Sequence, residues 1–250
     1  MGNRLEQFFG IGGPVMKFGS FLFDLIVLDI LWLFMSGAVL LLVLFYLFGH
    51  TVFANVPAPV GYLLMYLVII NWGPATVPLY YTLSKRNRGH ETYIIRDYFR
   101  SYRMNFRQSI ILSAVVTLIA ALLVYNIFLI GYNQEVFGAM AHVLYVFQFV
   151  ILAELYIFTI HAVALLARLK LTLKALVHDA FINANKHLGT SIGAGLVVAI
   201  GIGMLWFDQI FLFLFLPSFI CYLVALIMEK SLLSKYIPDE DDLTDVAPTQ

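Results

Sequence analysis

The sequence predicts an all-α protein: a polytopic transmembrane helix bundle of six spans, with N- and C-termini cytoplasmic and two cytoplasmic amphipathic connector helices. Three observations predict it. Of the 250 residues, 62% are hydrophobic and 12% charged, with a mean hydropathy of +0.90, whereas a soluble domain carries about 25% charged residues. The apolar residues gather into six runs, each near or above the roughly 20 residues that a helix needs to cross a hydrocarbon core of about 30 Å. All fifteen Lys and Arg fall on one side of those runs.

In chain order the spans are expected at about 21–48, 60–83, 109–132, 139–167, 188–207 and 210–228. The first is too long for the apolar core of a signal peptide and is read as retained. Only Asp208 and Gln209 separate the last two. Residues 1–237 are therefore taken as a single transmembrane helical domain. The segment 238–250 holds Asp239, Glu240, Asp241, Asp242 and Asp245 with almost no apolar mass, the composition of an acidic disordered tail.

Loop charge sets the orientation, because cytoplasmic loops carry the excess of Lys and Arg. Arg4 and Lys17 precede the first span. Lys85, Arg86, Arg88, Arg96, Arg100, Arg103 and Arg107 lie between the second and third; Arg168, Lys170, Lys174 and Lys186 lie between the fourth and fifth; Lys230 and Lys235 follow the sixth. The opposite loops carry none. Both termini are thereby expected in the cytoplasm.

Several functional classes are excluded. Lys+Arg 15 against Asp+Glu 15 balance to zero, so overall charge gives no attraction to nucleic acid. The single cysteine, Cys221, permits no internal disulfide and no thiolate pair for zinc or redox chemistry. The six histidines form neither His-x-x-x-His nor His-Glu-x-x-His, no Gly-x-Ser-x-Gly occurs, and the Gly-x-Gly pairs near Gly193 and Gly195 follow no strand. No enzymatic activity, metal or cofactor is expected.

The first connector carries the clearest pattern. From Tyr93 to Arg107, Ile95, Phe99, Tyr102 and Phe106 repeat at helical spacing, and Arg96, Arg100, Arg103 and Arg107 form a stripe beside them. Guanidiniums can then reach phosphates while rings sit at headgroup depth, which suits a partner-docking or lipid-sensing helix and equally a simple anchor on the anionic inner leaflet. The second connector, Lys170 to His187, has fewer charges and more small residues. Aligning Asp97 with Asp179 also superposes Phe99 on Phe181 and Ser109 on Ser191, a faint parallel repeat.

Ionisable and polar groups inside the spans are costly and so are candidates for function. Glu154, His161 and Arg168 succeed one another at spacings of seven on one helix face. They form a candidate polar site with Asp29 of the first span and Asn71 of the second, although hydrogen bonding between neighbouring helices explains them as well. Gly73, Pro74 and Pro78 remove backbone donors from the second span, so a helix break is expected there, either for binding or for packing. Gly189, Gly193, Gly195, Ala199 and Gly203 suggest close packing of the fifth span.

Three stretches carry a family resemblance. Phe9-Gly10-Ile11-Gly12-Gly13-Pro14-Val15-Met16-Lys17-Phe18 runs on to Leu28-Asp29-Ile30-Leu31-Trp32. Gly73-Pro74-Ala75-Thr76 with Leu79-Tyr80 is followed by Tyr98-Phe99-Arg100-Ser101-Tyr102-Arg103-x-Asn105-Phe106-Arg107-Gln108, and Leu166-Ala167-Arg168-Leu169 opens the second connector. Over most of its length the chain resembles the YesL family of bacterial membrane proteins, whose molecular function is unassigned. Asp29 stands where that family usually has Asn. The resemblance implies no catalytic residues. It implies an accessory role, since such proteins tend to accompany carbohydrate-uptake and glycan-utilisation genes. The expectation is a non-enzymatic accessory or regulatory partner of a sugar transporter, touching its permease or ATPase subunits, with the cytoplasmic helices as the contact surface. The alternative is an autonomous transporter of a small polar solute using Glu154 and His161.

Overall fold

Backbone chemistry accounts for where the helices start and stop. α1 (Pro14–Met35) opens on a proline, whose missing N–H costs nothing in a first turn, and closes at Gly37, with φ +74°. A computed structural model describes residues 13–37, 40, 58–205 and 215–231, and every regular element among them is a helix. After α1 come α2 (Ala58–Ile69), α3 (Trp72–Asn87), α4 (Ile94–Tyr132), the single turn α5 (Gln134–Phe137), α6 (Met140–Arg168), α7 (Leu173–Lys186), α8 (Leu188–Leu205) and α9 (Leu216–Ser231). The motif residues 9–12, most of 38–57, the 208–209 turn and the tail at 238–250 lie outside the described residues.

Among the described residues four segments are long and apolar enough to cross a membrane: Pro14–Met35, Val60–Asn87, Ile94–Tyr132 and Met140–Arg168. Leu188–Gly201 and Leu216–Glu229 are shorter apolar helices.

The second predicted span does break, but earlier than the residues that signalled it. The interruption falls at Ile70 and Asn71, between α2 and α3, while Gly73 and Pro74 occupy the first turn of α3 and Pro78 lies within it. Pro74 has no N–H to give to the carbonyl of Ile70. That carbonyl instead accepts a hydrogen bond from Ser113 Oγ of α4 at 2.5 Å. Asn71 Nδ2 covers the exposed end of α2 by donating to Leu67 O at 2.9 Å and Val68 O at 3.3 Å. Ser113→Ala strips the hydroxyl from Ile70 O and should lower the thermal stability of the detergent-solubilised protein by about 1 kcal/mol.

The first connector is likewise not a separate helix. Its aromatic and arginine stripes run without interruption into the third span as the single 39-residue α4. At 1.5 Å per residue α4 is about 58 Å long, nearly twice the hydrocarbon thickness. No proline or glycine stands between Tyr93 and Gly131 to end it. The second connector is separate: Arg168 ends α6, Thr172 Oγ1 accepts from Ala175 N at 3.4 Å to open α7, and Gln108 Nε2 of α4 donates to Leu171 O at 2.9 Å, pinning the link between them.

α3 is the hub, packing against α1, α4, α6 and α9. One side of it, Val77 and Tyr80, joins Leu112, Val116, Leu165, Leu166, Leu176 and Met228; another, Leu79 and Leu83, joins Leu25, Leu28 and Tyr98. Close approach to α4 depends on Gly73. A Cβ there would lie 2.7 Å from Ser113 Cβ and 2.8 Å from Ser109 O. In α8 the small residues divide: Gly195 and Gly201 meet Tyr156 and Ile220, whereas Gly189, Gly193 and Gly203 face open space.

Candidate functional site

The polar residues expected inside the spans do not converge. Asp29 of α1 is fully buried and engages α9: its Oδ1 accepts from Ser218 N at 2.7 Å and its Oδ2 lies 2.7 Å from Ser218 Oγ. Ser218 is the third residue of α9, so its N–H has no partner within its own helix. Asp29 thus caps α9 from a different helix, with carboxyl oxygens against the positive end of the helix dipole. His161 is also fully buried and pairs through Nε2 with Ser191 Oγ of α8 at 2.8 Å, while its Nδ1 faces no partner. Glu154 accepts from Asn185 Nδ2 of α7 at 2.7 Å. Arg168 Nε lies 2.9 Å from Glu229 Oε1 of α9. Glu154, His161 and Arg168 share a face of α6, yet each meets a different helix element, and Asn71 serves the end of α2.

A second concentration of polar groups gathers at one end of the bundle. There α3, α6 and α9 finish and α1 and α4 begin. Lys85 Nζ meets Asp97 Oδ2 at 2.7 Å, Arg86 pairs with Asp24 and lies 5.1 Å from the centre of the Phe21 ring, and Ser84 Oγ donates to Glu229 beside Arg168. These contacts tie five helices together where the basic residues lie. Sequence reasoning missed Glu229, Ser84, Ser191 and Ser218. A lone serine in an apolar helix carries no periodic signal, and Glu229 stands at the edge of a run where an acidic residue reads as solvated.

The amino-terminal part of α4 has two faces. Asp97, Tyr98 and Ser101 are buried, Tyr98 Oη donating to Ala75 O at 3.0 Å. The outer face carries Arg96, Arg100, Arg103 and Arg107, all exposed, and none forms an ion pair among the described residues. Between them Ile95, Met104 and Phe106 are 56%, 58% and 40% exposed. Phe99 is half-buried edge-on to Tyr98, and Tyr102 stacks obliquely on Phe106 at 5.4 Å. Apolar side chains left in the open among fixed cations make a surface suited to a partner or to lipid headgroups.

Among the cavities beside these features are two of contrasting lining. One of about 220 Å³ lies between α4 and the end of α6, lined by Tyr81, Arg100, Ser101, Met104, Asn105, Leu166, Ala167, Arg168, Leu169 and Lys170. The other, about 560 Å³, is an apolar groove beside Trp72, Phe149 and Tyr156, in which Trp72 Nε1 donates to Thr117 Oγ1 at 3.0 Å. Among the described residues no three of His, Cys, Asp and Glu converge to hold a metal ion.

No curated protein and no solved structure matches the chain. Residues 25–127, which run from α1 through the α3 hub and most of α4, match the model of a family described as a protein of unknown function, DUF624, and to that extent the chain is similar to it.

Proposed function

We propose that the protein is a six-span protein of a bacterial inner membrane with both termini cytoplasmic, and that it acts without catalysis as an accessory or regulatory partner of carbohydrate uptake. The six spans add α8 and α9 to the four long segments, each helped by the apolar residues between them. The orientation rests on the gathering of Lys85, Arg86 and Arg168 at one end of the bundle, the end that the charge rule assigns to the cytoplasm. The YesL-like motifs fall on α1, α3, α4 and the α6–α7 link, and the carbohydrate setting comes from that resemblance alone.

One observation carries the docking reading. Asp29, Glu154 and His161 of the spans each bond to a neighbouring helix, whereas Arg96, Arg100, Arg103 and Arg107 stand exposed on α4 among uncovered apolar side chains. The contact surface is accordingly the outer face of α4, against permease or ATPase subunits of a sugar transporter, with anionic inner-leaflet lipid at its edge. Autonomous transport needs a polar path, and Glu154, His161 and Arg168 each point to a separate partner instead.

Arg103→Glu reverses a charge on this face without touching a buried contact. The variant should unfold at the native temperature and lose at least ten-fold of the transporter subunits that co-purify with the full chain in mild detergent. Undiminished recovery of those subunits would count against the docking face.

A further inference from the structure

The cavity of about 220 Å³ between α4 and the α6–α7 link has a composition that neither docking nor bundle packing requires. Its polar lining is Tyr81, Arg100, Ser101, Asn105, Arg168 and Lys170, with no acidic side chain among the lining residues. Two helices and the link between α6 and α7 deliver these cations to one place. Arg100 comes from α4, Arg168 is the last residue of α6, and Lys170 lies on the link that Gln108 holds through Leu171 O. Arg168 is nearly enclosed, its side chain only 6% exposed and its Nε 2.9 Å from Glu229 Oε1. Asn105 Nδ2 donates to Ser101 Oγ at 3.2 Å, which leaves the serine O–H free to donate into the cavity.

Charge and size narrow the ligand. Glu229 neutralises one of the three cations, so the lining presents a net charge close to that needed by a phosphomonoester, about −1.5 to −2 near neutral pH. Planar guanidiniums with a lysine and a hydroxyl suit tetrahedral phosphate oxygens, which accept several charge-assisted hydrogen bonds at once. The volume falls below the roughly 300–1,000 Å³ of pockets for drug-sized ligands, so the occupant is small or inserts only its head. We propose that this cavity binds a phosphomonoester group, carried either by a small soluble molecule or by a lipid headgroup reaching in from the cytoplasmic leaflet.

The proposal does not rest on the docking reading, although Arg100 belongs to both surfaces.

The test uses the full chain in nanodiscs of phosphatidylcholine, titrated with glycerol 3-phosphate, and in parallel nanodiscs containing phosphatidic acid examined by native mass spectrometry. Saturable binding of glycerol 3-phosphate, weakened ten-fold or more in Lys170→Gln, supports the site with a soluble ligand. Selective retention of phosphatidic acid, lost in Lys170→Gln without binding of glycerol 3-phosphate, supports it with a lipid one. Lys170 is exposed on the link, so this variant keeps its fold, and Ser101→Ala supplies a second, weaker loss should the charge change alone alter lipid contacts. Absence of both kinds of binding, or equal binding by the native chain and Lys170→Gln, overturns the proposal. Loss of transporter subunits in Arg103→Glu, a residue outside the cavity lining, reads the docking face separately.

Discussion

Replacing Asp29 by alanine should lower stability by about 2–4 kcal/mol, while Asp29→Asn should leave it almost unchanged. The alanine removes both acceptors from Ser218, at the first turn of α9 and at 0% exposure. An N–H that no residue of its own helix can satisfy is then stranded in an apolar interior, where each unpaired polar group costs about 1–3 kcal/mol. Asparagine restores every contact. Its Oδ1 accepts from Ser218 N, and its Nδ2 donates to Ser218 Oγ, which leaves the serine hydrogen for Leu25 O at 3.0 Å. An acceptor role for the position tolerates asparagine, whereas a role for the negative charge itself does not. Thermal unfolding of both variants in one detergent separates the two. Equal loss in Asp29→Asn and Asp29→Ala would show that the negative charge itself matters.

Gly73→Ala should cost a further kind of energy, steric rather than polar. The added methyl meets Ser113 Cβ at 2.7 Å, Ser109 O at 2.8 Å and Ser113 Oγ at 2.8 Å. One of these is backbone, so no rotamer change relieves the clash, and α3 and α4 must move apart. Overpacking of this sort costs about 1–3 kcal/mol, to which the loss of the Ser113 to Ile70 hydrogen bond adds. Gly203→Ala is the control, because nothing lies within 4 Å of a Cβ at that position. A destabilised Gly73→Ala beside an unchanged Gly203→Ala is the expected pair. Native-like unfolding of Gly73→Ala would mean that α3 and α4 do not approach at this glycine.

Helix class and the long apolar helices were legible in the sequence because apolar composition and length decide them, and the ends of α6 at Met140 and Arg168 fall within a residue of expectation. The arginine stripe was legible for the same reason: a 3.6-residue period survives without any knowledge of neighbours. Its continuity with the third span was not. Hydropathy rises sharply between Arg107 and Ile110 while the backbone continues, since an α-helix needs no apolar side chains to satisfy its own hydrogen bonds. The break at Ile70 was displaced from the prolines because a proline frees the carbonyl four residues before it, and Ser113, distant in sequence, supplies the replacement donor. Pairings such as Asp29 with Ser218, 189 residues apart, leave no local trace. The cavity between Arg100 and Lys170 escaped notice likewise, because its cations come from separate segments: Arg100 read as part of the arginine stripe, Arg168 as part of the polar face of the fourth span and Lys170 as a loop charge.

Recognition on the outer face of α4, with the polar groups of the spans confined to holding helices together, is tested most directly by one comparison. The native chain, Arg103→Glu and Glu154→Gln are purified side by side from native membrane, and co-purifying permease and ATPase subunits are quantified by mass spectrometry. Glutamine at 154 keeps the oxygen that accepts from Asn185, so it removes only charge. The expected result is stoichiometric subunits with the native chain and Glu154→Gln and their loss with Arg103→Glu. A native chain that purifies without such subunits, or one that loses them through Glu154→Gln and not through Arg103→Glu, would contradict the account.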